Sequence, residues 1–288
     1  MNIVNILEEI EKVDGEIYER LNPRRAAMKE FFNMGKKITL AAMPLALGSV
    51  FQKAYGQSTP AAVTDVLNFA LALEYLEYHF YNHALVAAPT LTIPAGAATA
   101  AITLIRDHEN AHVNLLKGAL GAAARPEITY AMTDFTAGGT FADVYSNYGT
   151  FLAVAQGFED TGVRAYKGQA GVLAGNAVLT TALQIHSVEA RHASHIRQMR
   201  TALAGGAAIY KPWVSLGAAG QANDSGVPQV DAVYAGEDLT TQAGVNITGI
   251  NGNAGVTKAV AVESFDEPLD KASVVVIANL FLKTGFKL

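Results

Sequence analysis

The chain has 288 residues and a formal net charge of −5; half of its residues are hydrophobic and 16% are charged. That composition supports a large buried core and lacks the basic footprint of a nucleic-acid binder. There is no cysteine, which excludes disulfides, thiolate nucleophiles and Cys-type zinc sites, so any bound metal must use His, Asp and Glu.

The first segment reads as a targeting sequence. Arg24-Arg25 is followed by Ala26, Ala27, Met28 and Lys29, then by Lys36-Lys37 and the apolar run "ITLAAMPLALGSVF" at 38–51. Pro44 and Gly48 interrupt that run, and it is too short to span a bilayer comfortably. "AYGQS" then sets the small Ala54 and Gly56 before Gln57, as at a cleavage site. The segment resembles the twin-arginine export signal, although Pro23 and Ala27 stand where that pattern prefers Ser and Phe. The resemblance implies loss of residues 1–56, a periplasmic or cell-envelope protein, and no stable membrane insertion after processing. The alternative is a retained N-terminal helix, since Ile3, Ile6, Leu7, Ile10, Val13 and Ile17 have helical spacing.

Residues 57–204 carry four long helical patterns. Helix one covers about 61–86, where Val63, Val66, Leu67, Ala70, Leu71, Leu73 and Glu74 mark a wide inward face and Pro60 suits a helix start. Helix two covers about 95–121. Helix three covers about 141–168, and helix four about 171–204, with Gly205-Gly206 as its stop. The link between helices two and three, with Pro126 and "TAGGT" at 136–140, is long enough to run the length of a bundle. A mainly α fold with one long crossover is the ferritin-like four-helix topology.

Residues 205–288 form a C-terminal extension of different texture, rich in Gly, Ala, Asn and Thr to about 260. Weak alternation around "NGNAG" predicts a short β-hairpin there. "SFDEPLDKASVVVIANLFLK" predicts a packed helix, with Ser264 and Glu267 at capping-box spacing and Pro268 in the first turn.

The chemistry lies in the helices. Helix two carries Glu109 and His112, and helix four carries Glu189 and His192. Both pairs are Glu-x-x-His, which projects a carboxylate and an imidazole from one face. Helix one brings Glu74 and helix three Glu159, each followed seven residues later by a tyrosine, Tyr81 and Tyr166, on the same side. Four glutamates meeting in a core would repel and resist desolvation; two divalent cations would compensate them, with two neutral imidazoles completing the shells. A Glu on each of two helices plus Glu-x-x-His on the other two is the ligand set of di-iron and di-manganese carboxylate proteins. Glu77, one turn from Glu74, is the alternative ligand on helix one, and the tyrosine spacing favours Glu74. His186 and His195 flank the site by a turn and read as supporting or solvated groups. His79 and His83 lie opposite Glu74, and His108 is expected to point away from Glu109. Asp107, Asp160 and Arg191 read as outer ion-pair residues.

Residues 61–204 resemble the ferritin-like superfamily. "LNFALALEYLEYHFY", "EDTGVRAY" and "VEARHASHIRQ", with "VYAGED" and "FDEPL" further on, are similar to its desiccation-related branch, found in bacteria and plants. The resemblance implies two metal ions, iron or manganese, with Glu109 and Glu189 bridging and Glu74 and Glu159 terminal. It also implies that Tyr81 and Tyr166 hydrogen-bond the carboxylates from behind. Which imidazole faces which metal stays open.

Two functions of different class follow. One is an exported di-metal protein, redox-active toward a small oxidant, peroxide or dioxygen, in stress protection. The other is a non-enzymatic stress or structural protein with a structural or vestigial metal site. A storage cage ranks last, because an extension of over eighty residues is awkward in a closed shell. Homo-oligomerisation is left open.

Overall fold

The computed structural model describes residues 61–206, 210–217, 220 and 225–288. The expected export segment, with Arg24-Arg25 and the cut before Gln57, lies outside the described residues. The scaffold consists of four long helices: α1 (Ala61–Val86), α2 (Ala97–Leu120), α3 (Tyr148–Gln169) and α4 (Val178–Leu203). α1 packs along α2, and α3 along α4. Residues 121–147 form the long crossover between the two pairs. Among the described residues, no helix is long and apolar enough to cross a membrane.

The helices differ in how much of their circumference is covered. α2 is amphipathic: Ile102, Ile105, Glu109, His112, Val113 and Leu116 are buried at three- and four-residue spacing. α1 is buried without a break from Phe69 to Glu77, and α3 from Phe151 to Tyr166. A helix buried all round needs cover on its second side. Residues of the extension supply it, with Val230, Val233, Val274, Ile277 and Phe281 all in the same core.

Three boundaries differ from expectation. α3 starts at Tyr148 rather than near 141, because the Asn147 side chain caps it by accepting from the N–H groups of Gly149 (2.9 Å) and Thr150 (3.4 Å). α4 starts at Val178 rather than 171; Gly175, at φ 78°, precedes it in a conformation no helix continues through. Residues 250–252 form a single tight helical turn, not the tip of a hairpin. The two-stranded ladder lies earlier, pairing β1 (Thr241–Gln242) with β2 (Val245–Asn246). Ala243 and Gly244, both at positive φ, make the two-residue turn that such a hairpin favours.

The extension then forms α5 (Lys258–Val262) and α6 (Lys271–Ala278). The capping box expected at Ser264 and Glu267 is not used. Asp270 caps α6 instead, accepting from the Ser273 N–H at 2.9 Å. Glu267 is held elsewhere: its N–H meets the buried carboxylate of Glu237 at 3.1 Å.

One arginine fastens this segment to the bundle. Arg164 of α3 is buried; its Nε donates to the Glu267 carbonyl at 2.7 Å and lies 2.9 Å from Glu237 Oε1. Its Nη groups donate to the carbonyls of Val233 and Ala235. The Leu269 N–H returns a bond to the Arg164 carbonyl at 3.2 Å. One turn along α3, a Cβ on Gly168 would lie 1.9 Å from the Leu269 carbonyl oxygen, so the chain crosses α3 only because that residue is glycine.

Gly168→Ala is therefore expected to cost about 2 kcal/mol or more, through forced separation of the extension from α3. Gly171→Ala, where nothing lies within 4 Å of the added atom, should stay within about 0.5 kcal/mol of the parent. Thermal denaturation of the two variants checks this; equal melting temperatures would remove the crossing constraint.

Candidate metal centre

The glutamates at the middle of the four helices are removed from water: Glu74, Glu109, Glu159 and Glu189 each have 0% exposure. His112 and His192 are buried beside them. One oxygen or nitrogen from each of Glu74, Glu109, His112 and Glu189 lies within 4.8 Å of the others, and Glu109, Glu159, Glu189 and His192 form a second such group. All six residues singled out from the sequence thus converge, and Glu109 and Glu189 belong to both groups.

The imidazole geometry is informative. His112 Nδ1 lies 3.1 Å from Glu74 Oε2, 2.9 Å from Glu109 Oε2 and 3.1 Å from Glu189 Oε1. His192 Nδ1 lies 2.9 Å from Glu109 Oε1 and 3.1 Å from Glu159 Oε2. His112 therefore goes with Glu74, and His192 with Glu159. A ring nitrogen carries at most one proton, so it cannot give each of two or three carboxylates a full hydrogen bond. Glu109 Oε1 and both oxygens of Glu189 are buried without a well-directed hydrogen bond, since the imidazole nitrogens near two of them are shared with other carboxylates. Buried carboxylate oxygens without donors are costly unless a cation faces them. These residues fit a metal.

Burial pushes Glu74 up to about 7, against the opposing pull of His112. Glu159 is raised by burial, and Glu189 well above the ordinary range by burial and by the charge of Glu109. Glu109 is the exception. Burial raises it too, but two imidazoles face it and hold it below the usual carboxylate range. Burial works against a charge on either histidine, yet Glu74 and Glu109 raise His112 well above its ordinary value, and Glu159 and Glu109 bring His192 to about 11.

The tyrosines brace the site crosswise. Tyr81 of α1 donates to Glu159 Oε1 of α3, and Tyr166 of α3 donates to Glu74 Oε1 of α1. Each thus holds the other helix's glutamate. Further out, Arg197 binds Asp160 through two bonds of 2.9 and 2.6 Å, and Tyr234 donates to the same carboxylate at 2.7 Å. Asp160 is therefore an ion-pair residue as expected. Asp107 pairs with its neighbour Arg106 at 2.6 Å. Arg191 is exposed.

The remaining histidines divide. His186 Nδ1 meets the Val163 carbonyl at 2.9 Å, and His83 stacks on Tyr130. His79 is 3.5 Å from Glu127. His195 is exposed, the solvated one of the two alternatives expected for it. His108 does not point away from the site: its Nδ1 lies 2.9 Å from His192 Nε2. If His192 Nδ1 faces a metal, Nε2 carries the proton and donates to His108, which fixes both tautomers.

Two further residues shape the centre. Glu77 is buried, and burial and the charge of Glu189 raise it well above the ordinary carboxylate range. A Cβ on Gly162 would lie 2.9 Å from Glu189 Oε2 and 3.3 Å from Glu77 Oε1. Glycine there admits both carboxylates. Its signal in the sequence is an uncapped glycine inside a helical pattern, which costs about 1 kcal/mol against alanine and calls for a packing reason.

Residues 62–202 match the family model of the ferritin-like domain. No curated protein and no solved structure matches the chain.

The shifts set a pH dependence. Without metal, Glu74, Glu77, Glu159, Glu189, His112 and His192 all bind protons more tightly folded than unfolded. Their stabilisation is complete below the ordinary values of 4.5 for Glu and 6.5 for His, and is lost as pH rises through the folded ones, about 7 for Glu74 and about 11 for His192. Glu109 has the opposite sign, but its contribution is lost only on acidification below 4.5. Metal-free protein is therefore expected to melt at a lower temperature at pH 8 than at pH 5.5. A divalent metal, which displaces these protons, should flatten or reverse the trend. Calorimetric melting of both forms checks this; a metal-free protein that gains stability over that range would contradict the charge balance.

Proposed function

We propose that the ferritin-like domain at residues 62–202 holds two ions of iron or manganese and works as a redox-active stress protein toward peroxide or dioxygen. The observation that carries the reading is the His112 nitrogen facing three carboxylate oxygens at 2.9–3.1 Å. Such a cluster of buried oxygen and nitrogen donors is what a divalent ion would need around it. Oxygen and imidazole donors suit iron and manganese alike.

When bound, such a pair of ions supplies the electrons that reduce the oxidant. The chain's residues do the rest. Tyr81 and Tyr166 orient Glu159 and Glu74, and burial excludes bulk water. The His192–His108 contact holds a proton on the outer edge of the imidazole. Similarity to the desiccation-related branch supports the assignment to stress protection. Arg24-Arg25, the apolar run and "AYG" support export to the periplasm or cell envelope.

Protein reconstituted with iron or manganese under reducing conditions should bind two ions per chain. Glu189→Ala, which removes a carboxylate common to both groups, should lose both, while Glu159→Ala should lose one. The loaded parent is expected to react with hydrogen peroxide faster than with dioxygen in stopped-flow mixing. Reaction with neither oxidant, together with a lowered melting temperature for Glu159→Ala, would establish the non-enzymatic role instead. For export, mass spectrometry of protein from its native host should find residues 1–56 missing; full-length cytoplasmic protein would reject that part.

A further inference from the structure

α2 and α4 pack less closely against each other than α1 against α2 or α3 against α4, and a groove of about 980 Å³ lies between them. Its size is near the upper end of small-molecule sites, roughly 300–1,000 Å³. Ala97, Ala101, Leu104 and Ile105 line one wall, and Met199 and Leu203 belong to the other. Leu104 is 55% exposed and Leu203 52%. From Ala97 to His108 the helical rise gives a run of about 17 Å, so the groove suits an elongated occupant.

The histidines and the arginine are gathered at one end, while Gln198 and Tyr148 are the polar residues along the rest of the groove. His108, Arg191, His192 and His195 all line the groove, and no Asp or Glu does. That is unexpected on a chain of net charge −5. The floor at this end is His192, whose Nδ1 faces Glu109 and Glu159 and whose Nε2 meets His108. With the tautomers fixed as above, the remaining proton of His108 is on Nε2, a donor. Arg191 is exposed, and its planar guanidinium matches a carboxylate with two parallel bonds.

We propose that this groove binds an anionic amphipath, a single apolar chain ending in a carboxylate. The headgroup rests on Arg191 and His108 beside the metal centre, and the tail runs between α2 and α4 toward Leu203. The walls and Arg191 are present whether or not metal is bound, whereas the donor tautomer of His108 rests on the metal reading above.

The test is calorimetric titration with octanoate, decanoate and dodecanoate, and with dodecyltrimethylammonium as the chain-matched cation, on metal-loaded and metal-free protein. One carboxylate should bind per chain, tightening by roughly fourfold per buried methylene until the groove is full. Dodecanoate should bind at least tenfold tighter than the ammonium, and Arg191→Gln should shrink that ratio below threefold. Ala101→Trp, which fills the middle of the groove, should abolish binding of both with metal content unchanged. Ala97→Leu is the milder version if the tryptophan variant does not fold, and should weaken the longest chain most. Equal affinity for the two headgroups, no chain-length dependence, or binding that survives the filled groove would overturn the proposal. So would an absence of binding in a protein that sediments as a dimer split by Leu104→Asp, which would give the groove to a second copy of the chain. Loss of metal with carboxylate binding intact would count against the metal centre alone.

Discussion

Four carboxylates stand fully out of water at one level of the bundle, and three of their oxygens lack a well-directed hydrogen bond, two of them sharing an imidazole nitrogen with other carboxylates. Glu77 adds a fifth buried carboxyl beside them. Like charges in a medium of low dielectric strongly resist being ionised together, so the centre must hold either protons or cations. Two imidazoles relieve part of this charge, and Glu109, facing both, shows where that relief falls. Divalent metal ions would relieve the remainder, and the donors gathered around His112 and His192 are of the kind such ions take.

Holding such a centre demands rigidity from the helices that carry it. α1 and α3 supply the terminal glutamates, and each is tied to the other by a tyrosine donating across the interface. Both helices are covered on their second side by the C-terminal extension, which Arg164 fastens through three backbone carbonyls and Glu237. The extension is thus part of the support of the site. α2 and α4 bear the Glu-x-x-His pairs and are packed more loosely against each other. The groove between them leads to His192. Rigidity on one side of the centre and access on the other follow from the same arrangement of four helices.

What could be read from the sequence was what one helix encodes. Glu-x-x-His and Glu-x6-Tyr are spacings on a single cylinder, so Glu74, Glu109, His112, Glu159, Glu189 and His192 could be placed on inward faces before any tertiary contact was known. Contacts that depend on two helices were not legible in this way. The spacing put Tyr81 on the side of Glu74; its partner is Glu159, because the hydroxyl reaches across the interface. His108 was expected to turn away from Glu109, and it does not share the ligand face, yet α4 brings His192 to it. Gly162 drew no attention from spacing alone, because its reason lies in Glu77 and Glu189, which occupy the space beside it. The extension was least legible. Its turns are set by glycines and by long-range bonds such as Glu237 to the Glu267 N–H, which leave no periodic trace. The hairpin was accordingly expected around "NGNAG", and the helix cap at Ser264 rather than Asp270.

X-ray absorption at the metal edge of reconstituted protein tests the central claim most directly. The account predicts a shell of oxygen and nitrogen scatterers, a contribution from imidazole rings, and a second metal at a separation of roughly 3.5–4 Å. Conversion of Glu109 to Ala should remove the metal–metal contribution. A spectrum with isolated ions and no imidazole, unchanged by that substitution, would contradict the account, because it would place the metal away from the buried carboxylates and imidazoles at the middle of the four helices.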